Sequence, residues 1–300
     1  MSAAVRAAVL GAFLSFVGAA VAVADAGLPE VSVTAPRPPT AQELAGNTVP
    51  NFVKNHSTPS RVIGQLTRWE TPVCPRTLGL SPDAMDDFVT ARILAVAAAV
   101  NAPHAPSPHC KPNVFILFAL EPQKAVYELL EMNSRLLGFH YPTETKRFTL
   151  FNHPIQGWYV TSTRNSVGAI SVDDPDEWGS VDSGGGSVGS RLQTRTSALI
   201  GFATIIVDFN KAKGMPIGSI SDYVAVLTLT QAHLSDGCSQ LPSIMDLMAA
   251  DCRGDRKPEQ LTAGDLAYLR ALYSLDLERP LALERSNIEN AMFRAFRQGH

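Results

Sequence analysis

The N-terminal segment constrains this chain most, because it decides in which compartment the rest of the chain folds. Arg6 precedes an uncharged apolar run at residues 7–23, and Ala24-Asp25-Ala26 provides small residues around a cleavage point. A positive start, a short apolar run and an A-x-A site are typical of a secretory signal peptide. We therefore predict that residues 1–26 are cleaved after about Ala26 and that the mature protein is periplasmic or secreted.

The alternative for this segment is an uncleaved membrane anchor, since the run approaches the roughly 17 to 25 apolar residues that span a bilayer. Its many Ala and Gly residues, with few Leu or Ile, favour the signal peptide. A lipoprotein is disfavoured because the first cysteine, Cys74, lies far from the cleavage point. Later apolar runs, such as 93–100 and 114–120, are too short to cross a bilayer, so we expect no stable membrane span after signal removal.

The charge of the chain gives no indication of a nucleic-acid partner. The formal net charge is -3, and removal of residues 1–26 takes away one Arg and one Asp, which leaves it unchanged. No cluster of Lys and Arg is left that could follow a phosphate backbone. We expect an envelope protein or another ligand as the partner, and no motif indicates a cofactor.

Four cysteines follow the predicted signal peptide. An even number of cysteines in an exported chain predicts disulfides, because no thiol-reducing pool acts on them outside the cytoplasm. Three pairings are possible, and we favour Cys74 with Cys110 because that pair closes a local loop. The same argument pairs Cys238 with Cys252. A zinc site is the alternative, but there is no C-x-x-C motif and only Cys110 has a neighbouring histidine, His109.

Composition divides the mature chain into a leader and a globular domain. Residues 27–60 are rich in Pro, Thr and Ala and contain few large apolar side chains, so we interpret them as a flexible leader. Residues 61–300 are sufficient for one substantial core. A loop at 173–190, acidic at its start and glycine-rich later, divides this domain into two halves.

Hydrophobic periodicity predicts helices mixed with strands. A helix begins with Ser81 as N-cap and Pro82 as first helical residue, a buried strand follows at 113–119, and another helix follows Pro122. Beyond the central loop we predict a strand at 198–209, a buried helix at 217–231, a helix at 261–273 and a helix at 281–297 that packs on the core or docks on a partner. The predicted fold class is α+β, with helices and strands mixed in a single domain.

Two pairs of residues match the capping-box pattern, in which Ser or Thr is followed three residues later by an acid. Thr262 and Asp265 form one pair, at the start of the helix at 261–273. Ser219 and Asp222 form the other, near the start of the buried helix. We predict an N-terminal cap at both places.

The central loop contains the most acidic part of the sequence. Asp173, Asp174 and Asp176 lie there with Glu177 and Asp182. Carboxylates gathered in this way could bind a hard cation such as Ca²⁺. No spacing matches an EF-hand loop, so we interpret the group as a solvated loop and keep the first three aspartates as candidates.

Nucleophile and histidine motifs do not indicate an active site. Residues 185–189 match G-x-S-x-G around Ser187, but a nucleophile elbow requires a preceding apolar strand, and Ser and Gly precede it here. The histidines include no H-E-x-x-H pattern. A Ser, His and Asp set assembled from distant segments is not visible in a sequence.

One segment of the chain resembles a known fold. The letters DGCSQLPSIMD at 236–246 are followed by LTAGDLAYLRALY at 261–273. This arrangement resembles the C-terminal half of zincin-type metallopeptidases and is similar to degenerate members among secreted proteobacterial proteins of unknown function. The resemblance covers about residues 198–275. It implies a zincin-like C-terminal half, with Ser243 and Met245 in a Ser-x-Met turn and Asp265 in the next helix as scaffold residues.

The zinc-binding motif of that fold is absent here. Zincins bind zinc through two histidines one helical turn apart, with a glutamate between them that activates water. The corresponding helix reads SISDYVAVLTLTQ at 219–231, and positions four residues after Ser221 and Asp222 are Ala225 and Val226, which have no ligand atoms. We predict no catalytic and no metal-binding residue in this helix, and Asp222 stays a candidate only as a polar side chain.

The sequence therefore favours a non-catalytic, metallopeptidase-like scaffold with a structural or binding role in the cell envelope. The alternative is a peptidase-like hydrolase whose active site does not use H-E-x-x-H. The surroundings of the helix at 217–231 distinguish the two, because an active site requires an open polar cleft and a scaffold helix can be sealed in the core.

Overall fold

The structure, a computed structural model, describes residues 37–107, 109–138, 149–165, 167–173, 196–276 and 278–298. The predicted signal peptide, the first part of the leader and most of the central loop, with Asp174, Asp176 and Ser187, lie outside these residues. In the described part, helices and strands are mixed in one domain, which confirms the predicted α+β class.

The described strands form one mixed sheet. They are β1 (Pro75–Leu78), β2 (Val114–Ala119), β3 (Ile155–Arg164), β4 (Ile170–Val172) and β5 (Ser197–Asp208), in the order β1-β2-β5-β3-β4. β1, β2 and β5 are parallel, whereas β3 runs antiparallel to both of its neighbours. The central strand, β5, is buried on both faces of the sheet, since Ile205 and Ile206 point to opposite faces and both are fully buried.

Helices cover the two faces of the sheet unequally. They are α1 (Thr48–His56), α2 (Asp83–Ala99), α3 (Pro122–Asn133), α4 (Phe209–Ala212), α5 (Ile217–Leu229), α6 (Ala263–Tyr273) and α7 (Leu281–Gln298). Side chains of α1, α2, α5, α6 and α7 form the main core with one face of the sheet, and α3 packs on the other face around Val126 and Trp158. α2 begins after Pro82, so Ser81 is not its N-cap. α7 packs on the core through Ile288 and Met292.

α1 corrects the prediction of a flexible leader at 27–60. Val49, Phe52 and Val53 of this helix are buried in the main core. Their i, i+3, i+4 spacing places them on one face of a short amphipathic helix. The low apolar content of the surrounding residues conceals this helix in the sequence, and the folded region begins upstream of residue 61.

One predicted capping box is confirmed and the other is wrong. Thr262 accepts a hydrogen bond from the Asp265 backbone, and the Asp265 carboxylate accepts one from the Thr262 backbone, which completes the box. α5 begins directly after Pro216, so Ser219 and Asp222 lie inside the helix and do not cap it. Proline is well suited to this position, because its fixed φ leads into a helix and it has no N–H to leave unpaired.

The favoured cysteine pairing is confirmed. Cys74 is bonded to Cys110, with Cα atoms 6.0 Å apart, and Cys238 to Cys252, with Cα atoms 4.8 Å apart. Two disulfides fit a protein that folds outside the reducing cytoplasm. Among the helices of the described part, none combines the length and the apolar character that crossing a membrane requires.

The C-terminal end of α5 lies inside the protein, so the carbonyl groups of its last turn need donors. Side chains supply them: Tyr159 Oη donates to Leu227 O (2.7 Å), Trp69 Nε1 to Thr228 O (2.7 Å) and Tyr273 Oη to Leu229 O (2.8 Å). Burial raises the pKa of both tyrosines, so the two hydroxyls keep the protons that they donate. Helix α5 is thereby fixed at a point where solvent does not reach it.

We expect Tyr273→Phe to lower the free energy of unfolding by about 1 to 3 kcal/mol, because it leaves the buried Leu229 carbonyl without its donor. Tyr127→Phe is the matched control, since Tyr127 is 49% exposed on α3, and it should change the free energy by less than about 0.5 kcal/mol. Urea unfolding with the disulfides intact measures both. Equal effects of the two substitutions would contradict this role of Tyr273.

Candidate functional site

A polar cleft of about 1110 Å³ opens between two parts of the chain. Residues of the segment 37–51, which ends in α1, line one side. Residues 239–242 and 255–264, which lead into α6, line the other. This volume is large enough for a small ligand or a short stretch of polymer.

The N-terminal side of the cleft is held by a local turn. Arg37 Nη2 lies 2.7 Å from Glu43 Oε1, and the second oxygen of the same carboxylate accepts from the Thr40 backbone N–H at 2.6 Å. The Arg37 hydrogen bond is the main cause of a lowered pKa of Glu43. Since the Arg37 side chain is 61% exposed, water screens this ion pair and it adds little to stability.

The opposite side of the cleft is anchored to α5. Ser219 Oγ donates to the Glu259 carbonyl oxygen at 2.5 Å, and Asp222 Oδ2 accepts from the Leu261 backbone N–H at 3.0 Å. The two residues predicted to cap α5 therefore fix the loop that forms the cleft wall. Thr262 Oγ1 adds a bond to the Pro242 carbonyl oxygen at 2.8 Å.

Asp222 also forms a buried ion pair with Arg92 of α2. Arg92 Nε lies 2.5 Å from Asp222 Oδ1, and Arg92 Nη2 lies 3.0 Å from Asp222 Oδ2. The Asp222 side chain is 1% exposed, so Arg92 and the Leu261 N–H stabilise its carboxylate in place of water. The candidate aspartate thus joins α2, α5 and the cleft wall, and its carboxylate does not face solvent.

Below the cleft lies a 3₁₀ helix at Ile244–Met248, which begins in the predicted Ser-x-Met turn. Ser243 Oγ accepts from the Met245 backbone N–H at 3.1 Å, Asp246 Oδ2 accepts from the Ser243 backbone N–H at 3.2 Å, and Met245 packs in the main core. Asp246 Oδ1 accepts from both the backbone and the hydroxyl of Ser239 at 2.9 Å. The Cys238–Cys252 disulfide closes the same segment. The segment that contributes Asp246 to the cleft is therefore held by a cap and a covalent bond.

Asp265 is the acceptor that joins this turn to α6. Its Oδ1 lies 2.6 Å from Ser243 Oγ, and its Oδ2 accepts from the backbone N–H groups of Ile244 and Thr262, both at 2.9 Å. Asp265 is buried, and this burial raises the pKa of its carboxyl, ahead of the opposing effect of the hydrogen bonds. Ser243 and Asp265 therefore connect the turn at residue 243 to the start of α6.

His56 connects α1 to the turn at Ser243. Its Nε2 lies 2.8 Å from Ser243 Oγ, and its Nδ1 lies 2.9 Å from the Phe52 carbonyl oxygen. The Phe52 ring stacks on the imidazole with 3.8 Å between centroids, and Tyr268 Oη donates to the His56 carbonyl oxygen. His56 is 3% exposed, and burial lowers its pKa to about 4.

His56, Ser243 and Asp265 do not have the arrangement of a hydrolase triad. In a triad the histidine lies between serine and acid, so that it removes the serine proton and is oriented by the acid. Here the serine lies between the histidine and the acid. Ser243 is also fully buried, so its hydroxyl has no path to a substrate.

Helix α5 is sealed in the core. Each of its residues from 219 to 229 is buried. Among the described residues, no group of three or more His, Cys, Asp or Glu side chains could hold a metal ion. Of the acidic central loop, only Asp173 is described, and its two carboxylate oxygens accept from the hydroxyls of Thr161 and Thr163 at 2.6 Å. Asp173 therefore ties the end of β4 to β3.

The lining of the cleft suits a polar ligand of low net charge. Amide and hydroxyl side chains, which both donate and accept hydrogen bonds, come from Gln42, Asn47, Asn51, Gln240, Gln260, Thr40 and Ser239. Both basic and acidic residues line the same cleft: Arg37, Arg256 and Lys257 on the one hand, and Glu43, Asp246, Asp255 and Glu259 on the other. Such a lining can orient a ligand by hydrogen bonds without selecting one sign of charge.

The cleft and the contacts of His56 and Arg92 are not predicted from the sequence. The sequence carries two local patterns in this region: Phe52 and His56 lie one helical turn apart, and Ser243 and Asp246 match the capping-box pattern. Comparison of the whole chain with family models, with curated proteins and with solved structures finds no match.

Proposed function

We propose that this is a non-catalytic protein of the cell envelope that binds a polar ligand in the cleft between residues 37–51 and 239–264. The burial of α5 carries the non-catalytic part of the proposal. In the zincin-like fold that the sequence resembles, catalytic side chains would project from this helix into an open site. Here the helix is enclosed, and its polar side chains Ser219 and Asp222 hold the cleft wall.

The binding part of the proposal rests on the cleft. Its volume and its many amide and hydroxyl groups are those of a site that recognises a ligand by hydrogen bonds. The side at 239–264 is supported from behind by buried contacts, namely the Arg92–Asp222 ion pair and the bonds to Asp265. A preformed site loses little conformational entropy when a ligand binds. Periplasmic or secreted localisation belongs to the same proposal and is supported by the two disulfides.

An assay with a generic protein substrate tests the non-catalytic part. We expect the purified mature chain to leave casein intact during prolonged incubation, with or without added zinc and with or without a chelator. A zinc peptidase serves as the positive control under each condition. Cleavage by the mature chain that zinc supports and the chelator abolishes would overturn the proposal, and so would chelator-insensitive cleavage that copurifies with the protein, which would favour the alternative hydrolase.

A further inference from the structure

The hydrogen bonds of His56, Ser243 and Asp265 fix where most of their protons lie. A carbonyl oxygen can only accept, so His56 Nδ1, which lies 2.9 Å from Phe52 O, carries a proton. Two further contacts connect the three residues: His56 Nε2 lies 2.8 Å from Ser243 Oγ, and Ser243 Oγ lies 2.6 Å from Asp265 Oδ1. We name these three residues the His–Ser–Asp chain.

Two contacts require two protons, and the hydroxyl of Ser243 supplies only one of them. The second proton must lie on His56 Nε2 or on Asp265 Oδ1. Without it, two acceptor atoms would face each other in the core with no hydrogen between them, which is costly where no water can intervene. The His–Ser–Asp chain is therefore complete only with one additional proton.

A further proton does not fit. Ser243 Oγ has two lone pairs, and one of them already accepts from the Met245 backbone N–H at 3.1 Å. The other accepts the additional proton of the His–Ser–Asp chain. If His56 Nε2 and Asp265 Oδ1 were both protonated, three donors would compete for these two lone pairs.

Burial decides which end holds the additional proton. It lowers the pKa of His56 and raises the pKa of Asp265, so both shifts place the proton on Asp265 Oδ1. Ser243 then donates to a neutral His56. Among the described residues, the ionisable groups next to the His–Ser–Asp chain are Asp246 of the 3₁₀ helix, which interacts with His56 and Asp265, and Tyr268 of α6, which donates to the His56 carbonyl oxygen. Further out, Tyr223 of α5 interacts with Asp246, and Glu284 and Arg285 of α7 interact with Tyr268.

We propose that the His–Ser–Asp chain is a pH-sensitive latch. It holds α1 on the turn at Ser243 while the additional proton is bound, and it releases α1 when alkaline solution removes that proton. His56 is the C-terminal residue of α1, and its side chain is the part of the helix that reaches Ser243. Thr48 and Asn51 of the same helix line the cleft. Release of α1 would change the lining of the cleft, and an effect on ligand binding rests on the proposed function. The latch itself does not depend on whether the cleft binds a ligand.

The sign of the pH dependence follows from proton counting. When α1 is released, His56 is free to titrate near its usual pKa of about 6.5, so the open form loses its proton above that pH. The docked form keeps its proton up to the raised pKa of the His–Ser–Asp chain. Docking is therefore fully stable below about pH 6.5 and is lost as the pH rises towards that raised pKa, with up to about tenfold more opening per pH unit.

Hydrogen exchange of the α1 backbone amides in the mature protein measures this opening. After correction for the intrinsic exchange rate, we expect the opening constant at Phe52 and Val53 to rise by about tenfold or more between pH 6 and pH 8. In Asp265→Asn the amide can donate to Ser243 permanently and still accept from Ile244 and Thr262. We therefore expect no rise in this variant, but a fall of about fourfold, because the released His56 still loses its own proton over this pH range. Glu284, whose pKa is raised to about 7 by burial, titrates in both proteins and cancels in the comparison.

A second measurement needs no variant. Nitrogen NMR of the histidine side chains should find His56 neutral, with the proton on Nδ1, from pH 5 to pH 8. Equal pH dependence of α1 exchange in the wild type and in Asp265→Asn would overturn the latch. So would a His56 that titrates near pH 6.5 in the native protein. Neither result bears on whether the cleft binds a ligand, so failure of the latch and failure of the proposed function are distinguishable.

Discussion

Arg92→Met should lower the free energy of unfolding by about 3 to 5 kcal/mol, because it leaves the charge of Asp222 buried with only the Leu261 N–H as a partner. Methionine roughly preserves the length of the arginine stem, so packing between α2 and α5 changes little. Chemical unfolding at pH 6 with both disulfides intact measures the effect. Removal of the Arg92 guanidinium should also weaken the attachment of residues 259–262, which Asp222 and Ser219 hold against α5.

The double variant Arg92→Met, Asp222→Asn is the control for this interpretation. An asparagine keeps an acceptor for the Leu261 N–H but carries no charge, so the double variant should recover at least half of the stability lost in Arg92→Met. If Arg92→Met costs less than about 1 kcal/mol, or if the double variant is no more stable than the single one, the buried charge is not what makes Arg92 necessary.

Asp265→Ala is the second substitution for which we expect a large effect. It removes the hydrogen-bond partner of Ser243 Oγ and the acceptor for the Ile244 and Thr262 N–H groups at one buried position. Each buried polar group left without its partner costs about 1 to 3 kcal/mol, so the loss for these three groups should be at least about 3 kcal/mol. Thermal and urea unfolding at pH 6 both measure it.

Two variants define what Asp265 contributes. Asp265→Asn keeps the shape and the acceptor oxygen, so it should cost less than about 1.5 kcal/mol at pH 6. Asp255→Ala, at the rim of the cleft with a side chain 72% exposed, should be within about 0.5 kcal/mol of the wild type. Equal losses in Asp265→Ala and Asp255→Ala would show that the contacts of Asp265 do not stabilise the turn.

Local patterns predict the second half of the fold well. The signals for β5, for helix α5 and for the Thr262 cap of α6 each come from residues within one strand or one helical turn. The bounds of β5 and α5 lie within two residues of the prediction, and Thr262 caps α6 as predicted. β3 and α1 are missed. Burial along β3 does not alternate regularly, because both faces of the sheet are covered, and α1 lies in a region whose average composition indicates a flexible leader.

The site is harder to predict because its contacts join distant parts of the chain. His56 and Ser243 are separated by 187 residues, and Arg92 and Asp222 by 130. No spacing in a single sequence indicates that such side chains meet. The role of Asp222 illustrates this limit, since its pattern with Ser219 predicts a local cap, whereas the carboxylate binds an arginine and a backbone amide from other elements.

Photo-cross-linking from the cleft shows whether a ligand binds there. A photoreactive phenylalanine analogue is placed at Lys257, which lines the cleft, or at Lys124, whose side chain is 66% exposed on α3 at the opposite face of the sheet. After irradiation of cells that export the protein, mass spectrometry of the purified chain identifies the adducts. We predict a discrete ligand adduct from position 257 and none from position 124. The absence of any adduct at 257, or the same adducts at both positions, would contradict a binding function for this cleft.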